Sequence, residues 1–360
     1  LFIVANFDRS ESQSIEIPVP AELIADWQLA DGRYMLNEQL YRRNHARMIV
    51  DDGKGMIRVT LGPLDSAVLE VGAQDIMRHP DFPSRNVDVR HIDVWLPPDY
   101  HTSGKHYPVI YAHDGQNLYN PSYVWNNTDW GVDDVLHEMI DGGHTIGAIV
   151  VGIWNTPKRR LEYLPQEAWD LAPEHMQVYI EGHEGGRPES REYLQFVVEE
   201  LKPFIDANYR TKPDRDHTST MGSSMGGLIS MYAMLKYPDV FGAAACLSTH
   251  WPLHVDLNDP AATTSFIGFL KEAMPAPGDH RLYFDFGTEE LDGNYEPHQQ
   301  LIDAMMAEIG YTQGKDWVTR KFEGAGHSEK YWRERLHIPL GFLLADVAAD
   351  DGLASRNDDR

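Results

Sequence analysis

The sequence predicts an α/β protein in which a mainly parallel sheet carries helices on both faces and a small all-β sandwich precedes it. Three observations carry that expectation. Residues 1–71 run as short alternating or β-rich segments between turn residues. From residue 72 buried apolar segments alternate with amphipathic ones, the pattern of a parallel sheet covered on both sides. At 360 residues the chain is also long enough for one large core with a small module beside it. The expected division is 1–74 for the sandwich, 75–347 for the α/β domain and 348–360 for a disordered tail rich in Asp, Gly and Ser.

In chain order, residues 1–5, 14–19, 56–60 and 67–71 read as strands because β-branched residues recur there between turn residues. Residues 87–96, 107–112 and 146–154 read as strands of the second region, with a helix over 132–140 between the last two. Over 190–207, Tyr193, Phe196, Val197, Leu201, Phe204 and Ile205 recur at helical spacing and form a core-facing stripe. Strands follow at 217–221, 241–247, 281–286 and 317–322, with helices starting at Met225, near Glu296 and near Glu329.

Composition is that of an ordinary globular protein, 42% hydrophobic and 24% charged. Acidic residues outnumber basic ones 56 to 31, giving a formal charge of −25, and such a surface repels phosphate backbones and anionic headgroups. Nucleic-acid and membrane partners are therefore not expected, and the acidity reads as a solubilising surface rather than salt adaptation. The one cysteine, Cys246, lies in an apolar run and reads as a buried small hydrophobe. No apolar span suited to a membrane and no leader pattern is visible, so a soluble protein is expected; its localisation is left open, with the cytoplasm slightly favoured.

A serine hydroxyl becomes a useful nucleophile only when a base takes its proton and when it projects from the sheet edge. The run Gly222-Ser223-Ser224-Met225-Gly226 fits that need, with a strand before it and a helix after it bearing Leu228, Met231, Tyr232 and Leu235. Ser224 takes the central position. This strand-turn-helix arrangement is the nucleophile elbow of the α/β-hydrolase fold, whose chain order is Ser, acid, His. The base then falls near the C-terminus, and His327, on a loop between a strand and a helix, occupies that place.

The acid is sought after the strand at 281–286, in a loop where Glu289, Glu290 and Asp292 compete. Asp292, with the shorter side chain usual in such triads, is preferred, and Glu290 is kept as the alternative. Oxyanion stabilisation calls for two backbone N–H groups, assigned to Met225 and, on the loop after the strand at 107–112, to Gln116. His113 and Asp114 on that loop are adjacent and diverge on an extended chain, and no HExxH or paired CxxC accompanies them. No metal or cofactor is expected.

Residues 80–345 resemble the putative-esterase family of α/β hydrolases, which includes feruloyl esterases, enterobactin-type esterases, S-formylglutathione hydrolases and mycolyltransferases. The resemblance is carried by Val94-Trp95-Leu96-Pro97-Pro98-Asp99-Tyr100, by the run from Pro108 to Gln116, by the elbow and by Gly324-Ala325-Gly326-His327. It implies Ser224 and His327 as catalytic and the backbone near Gln116 as an oxyanion donor. Residues 155–165 also look like a family segment bordering the site, with Trp154 and Arg160 as candidate substrate contacts. The first fifth of the chain is similar to the β domain that closes many amylase-family glycoside hydrolases, through Val4-Ala5-Asn6-Phe7 and residues 61–71.

The expected function is a serine carboxylic-ester hydrolase acting through an acyl-enzyme on short-chain, aryl or sugar esters, with a small-molecule ester as its partner. Two alternatives stand beside it: an acyltransferase using the same triad, and a non-catalytic carbohydrate-binding protein on a hydrolase fold. Trp125, Trp130, Trp154 and Trp169 suggest an aromatic-lined mouth, or equally buried structural rings.

Overall fold

The computed structural model describes residues 1–40, 46–254, 256 and 258–350. The chain divides into two compact units, Leu1–Pro80 with His91–Gly104, and Asp81–Arg90 with Lys105–Arg360. Residues 351–360, most of the expected tail, lie outside the described residues, while 348–350 continue the helix His337–Asp350.

The first unit is built from β1 (Phe2–Ala5), β2 (Gln13–Val19), β3 (Gly32–Glu38), β4 (Ala46–Asp51), β5 (Lys54–Leu61), β6 (Ser66–Phe82) and β7 (Arg90–Trp95). Their order is β7-β6-β3-β4-β5-β2, with β1 on β6. The pairs β1·β6, β2·β5, β3·β4, β3·β6 and β4·β5 are antiparallel. The strands form one hydrogen-bonded path, and alternate residues such as Val4, Tyr34, Met48, Ile57 and Leu69 share one core with Ile24 of the helix Ala21–Asp26. β6 runs on through residue 74, where the sequence suggests a boundary, and most of β7 clusters with this unit. β3 and β4 were not expected. β3 is masked in sequence by Arg33, a buried cation whose Nη2 lies 2.5 Å from Asp75.

The second unit holds β8 (Val109–His113), β9 (Ile149–Ile153), β10 (Thr218–Ser223), β11 (Ala243–Leu247), β12 (Arg281–Gly287) and β13 (Trp317–Phe322). They lie in the order β9-β8-β10-β11-β12-β13, every pair parallel. β8 to β11 are buried along their whole length, so their apolar runs are continuous rather than alternating. The chain leaves β8 toward β9 on one side and returns at β10 on the other. Such a switch point opens a crevice at the carboxyl ends of the two strands, where α/β sheets place their ligands.

Three short helices, Arg159–Tyr163, Gln166–Leu171 and Glu174–Glu184, follow β9 and were not expected. Their apolar residues are too sparse to show a stripe: the longest buries only Met176 and Ile180. No helix among the described residues is long and apolar enough to cross a membrane.

Candidate active site

At the end of β10 the chain turns sharply into the helix Met225–Lys236, and Ser224 at the turn has φ 58° and ψ −123°. That backbone region is costly for a residue with a side chain and survives only where its surroundings enforce it. The enforcement is visible. Ser224 N–H donates to Leu247 O at 2.9 Å, and Ser224 O accepts from His250 N–H at 3.1 Å. A Cβ on Gly222 would lie 2.6 Å from the Gly226 carbonyl, so only glycine lets strand and helix approach this closely.

The carboxylate of Asp292 is fully buried and can only accept hydrogen bonds. Its Oδ1 accepts from His327 Nδ1 at 2.5 Å, and its Oδ2 accepts from Gly287 N–H at 2.7 Å and from the Ser248 hydroxyl at 2.6 Å. Burial pushes this carboxyl up, but the His327, Ser248 and Gly287 donors outweigh it and hold the pKa below the usual carboxylate range. Because Nδ1 gives its hydrogen to Asp292, a neutral His327 ring presents Nε2 as a lone pair. Trp332 and Tyr295 pack nearly perpendicular to the same ring at centroid distances of 5.1 and 5.7 Å. Glu290 instead accepts the His327 backbone N–H, at 2.9 Å.

Ser224, Met225 and His327 line one cavity of about 180 Å³, together with Arg159, Arg160, Glu184, His250, His254 and an apolar set of Leu164, Ile180, Leu253 and Leu291. The loop after β8 is braced beside it. Asp114, at φ 58°, receives two hydrogen bonds from Arg159 at 2.6 Å and one from Asn155 at 2.6 Å. Burial raises the Asp114 carboxyl, and Arg159 and Asn155 more than reverse it. Gly115 is required next, since a Cβ there would lie 2.4 Å from the Gly152 carbonyl carbon. Asn117 and Asn126 donate to Glu329, two residues beyond His327, which ties this loop to the His327 loop.

A family model described as "Putative esterase" matches residues 87–343. The chain belongs to that family. The esterase is 27% identical over 262 residues to "Uncharacterized protein YbbA" of Bacillus subtilis, a match spanning 71% of this chain and 92% of that one. Among solved structures, the enterobactin esterase FES from Shigella flexneri is 16% identical and covers 94% of this chain and 81% of its own, with a TM-score of 0.55. An IroE-like serine hydrolase from Shewanella oneidensis is 18% identical over 75% of this chain and 80% of its own, also at 0.55. The protein is thus an ester-hydrolysing enzyme, a carboxylic-ester hydrolase with the α/β-hydrolase fold and a preceding all-β region.

Of the residues singled out in the esterase sequence, Ser224, Met225, His327 and Arg160 meet at the cavity, with Asp292 directly behind His327. Gln116 sits in the short 3-10 turn Gly115–Asn117, where its side chain accepts the Asn155 N–H at 3.2 Å. Trp154 packs on Tyr123 at 5.1 Å and is not part of the cavity lining, so the expected contact gives way to Leu164, Ile180 and Leu291. The other candidate tryptophans do not line this cavity either: Trp130 and Trp169 are buried, as the alternative of structural rings has it, and Trp125 is exposed. Arg160 pairs with Glu184 at 3.0 Å.

Sequence reasoning missed Ser248, His250 and Tyr295, which lie outside any recognised motif, and passed over Arg159, which opens the helix Arg159–Tyr163 within the family segment and stands next to the Arg160 it singled out. Ser248 donates to Asp292 while accepting from Trp332 and Arg335, and so fixes the carboxylate. Among the described residues, His183, His254 and Asp256 bring metal-ligand atoms within 4.8 Å of one another. Both His254 nitrogens are already engaged, Nδ1 by the Asp256 N–H and Nε2 by Glu184.

Proposed function

We propose that this esterase is a serine hydrolase in which Ser224 is the nucleophile, His327 the general base and Asp292 the orienting acid. The observation that carries the reading is the 2.5 Å hydrogen bond from His327 to the buried Asp292 carboxylate, with Ser224 on the strained elbow of the same cavity. His327 Nε2 takes the Ser224 proton as Oγ bonds to the ester carbonyl carbon. The oxygen that becomes negative is held by the N–H groups of Met225 and Gln116. Collapse expels the alcohol oxygen, which receives the proton from His327 and leaves an acyl group on Ser224. Water then gives a proton to His327 as its oxygen bonds to the acyl carbon, and His327 passes that proton to Oγ as the acyl–serine bond breaks, freeing the acid and the serine.

A cavity of about 180 Å³ with an apolar wall favours a short acyl chain or a single ring, so short-chain, aryl and small sugar esters are the proposed substrates. Replacing Ser224 by Ala is expected to abolish hydrolysis of p-nitrophenyl acetate with the thermal unfolding curve retained. Undiminished turnover in a folded variant sinks the assignment.

A further inference from the structure

We propose that His250 is a substrate-binding residue whose Nε2–H donates a hydrogen bond to an oxygen acceptor carried by the ester close to its scissile carbonyl. This rests on the serine-hydrolase reading of the cavity.

His250 is 1% exposed, lines the cavity with Ser224 and His327, and has no part in the mechanism above. Its Nδ1 lies 2.7 Å from the Tyr295 hydroxyl. A phenol is the better donor and a neutral imidazole the better acceptor, so Tyr295 O–H donates to Nδ1 and the ring hydrogen sits on Nε2. The ring is neutral across the working range: burial first, then the His327 charge, holds its pKa down at about 3, against a smaller opposing effect of the His254 backbone carbonyl. Despite that carbonyl, Nε2 makes no hydrogen bond among the described residues.

A buried N–H without an acceptor is costly, and beside a nucleophile it is the complement of an oxygen on the ligand. Arg159 gives two of its donors to Asp114 and Arg160 one to Glu184, the rest of the wall is largely apolar, and among the described residues of this lining His250 Nε2 is the buried side-chain nitrogen left without a partner. Selection for an acceptor therefore falls on His250.

The test compares esters that differ by one oxygen for one methylene. p-Nitrophenyl methoxyacetate against p-nitrophenyl butyrate probes the acyl side; 2-methoxyethyl butyrate against butyl butyrate probes the alcohol side. Each kcat/KM ratio is divided by the corresponding ratio for hydroxide-catalysed hydrolysis. The expected result is a corrected preference of about tenfold for the oxygen-bearing ester in one pair. His250→Phe brings it to about one, and His250→Gln, which keeps a donor, retains part of it. Ratios near one in both pairs for the unmodified enzyme overturn the proposal even if the variants do not fold. An equal loss on both esters of a pair in His250→Phe also overturns it, since a merely structural role acts that way. Flat ratios with Ser224 still acylated by a fluorophosphonate sink this inference alone; no turnover and no adduct sink the serine-hydrolase reading with it.

Discussion

Asp292 and Glu290 are two residues apart, yet they meet different atoms of His327: one carboxylate takes the ring hydrogen, the other the backbone N–H. On the proposed mechanism Asp292→Asn lowers kcat by about 10⁴-fold, the scale on which an acid of this kind acts, whereas Glu290→Gln costs less than about tenfold. Steady-state kinetics on the two variants decides between them, and the reverse ranking contradicts the assignment. Of the proposed residues, Ser224 and His327 were legible because motif and chain order both point to them. The proposed acid was only half legible: Glu290 takes a positive φ of 55° while Asp292 turns inward on the 3-10 segment Asp292–Asn294, and no spacing rule encodes that bend.

His113 and His250 give a second prediction at this scale. Both are buried and neutral, with burial holding their pKa values at about 4 and about 3, while in the unfolded chain they titrate near 6.5. The unfolded state therefore binds more protons between those values. Stability is full above pH 6.5 and falls as pH drops toward 4 and 3. Urea midpoints measured from pH 7.5 to 4.5 are expected to decrease on the acid side; a midpoint that is flat over that range contradicts it.

At the scale of elements, the strand-turn-helix join depends on a glycine contact rather than on side-chain packing. Gly222→Ala drives a Cβ to 2.6 Å from the Gly226 backbone, so a drop in Tm with loss of activity is expected, and a variant as stable and active as the parent refutes the contact. The helix Gln166–Leu171 is anchored by Glu167, which accepts hydrogen bonds from Tyr232, Lys236 and Arg191. Burial raises its carboxyl, but those donors bring the pKa from 4.5 to about 2. That contribution is complete above pH 4.5 and is lost as pH falls through about 2. Glu167→Gln is expected to flatten the acid limb of Tm against pH below 4.5, and an unchanged limb rules the anchor out.

Elements with continuous apolar runs or clear stripes were readable: β10, β13 and the helices starting at Met225, Glu296 and Glu329 fall where the pattern puts them. β3 was obscured by a buried ion pair. The three helices after β9 were obscured because their buried apolar residues are few, Met176 and Ile180 alone on the longest, and Ile180 shares the cavity wall with Leu164 and Glu184, a lining that mixes polar with apolar.

For the whole molecule, the formal charge of −25 sets the response to salt. Self-repulsion of the folded form is screened as ionic strength rises, the Debye length falling from about 30 Å at 0.01 M to about 3 Å at 1 M. Tm is expected to rise between those salt concentrations, and a fall shows that screened ion pairs such as Lys271–Glu308 matter more. The alternation of strands and helices announced the parallel sheet. The order of its strands, and with it the crevice beside β8 and β10, depends on crossovers that local pattern does not encode.

The central claim is that the β10 elbow delivers an activated serine to the cavity. Incubation with a fluorophosphonate probe, followed by peptide mapping by mass spectrometry, tests it most directly. The predicted result is a single adduct on Ser224, absent in Ser224→Ala and slowed in Asp292→Asn; no adduct on the folded enzyme, or one on Ser223 instead, contradicts the account.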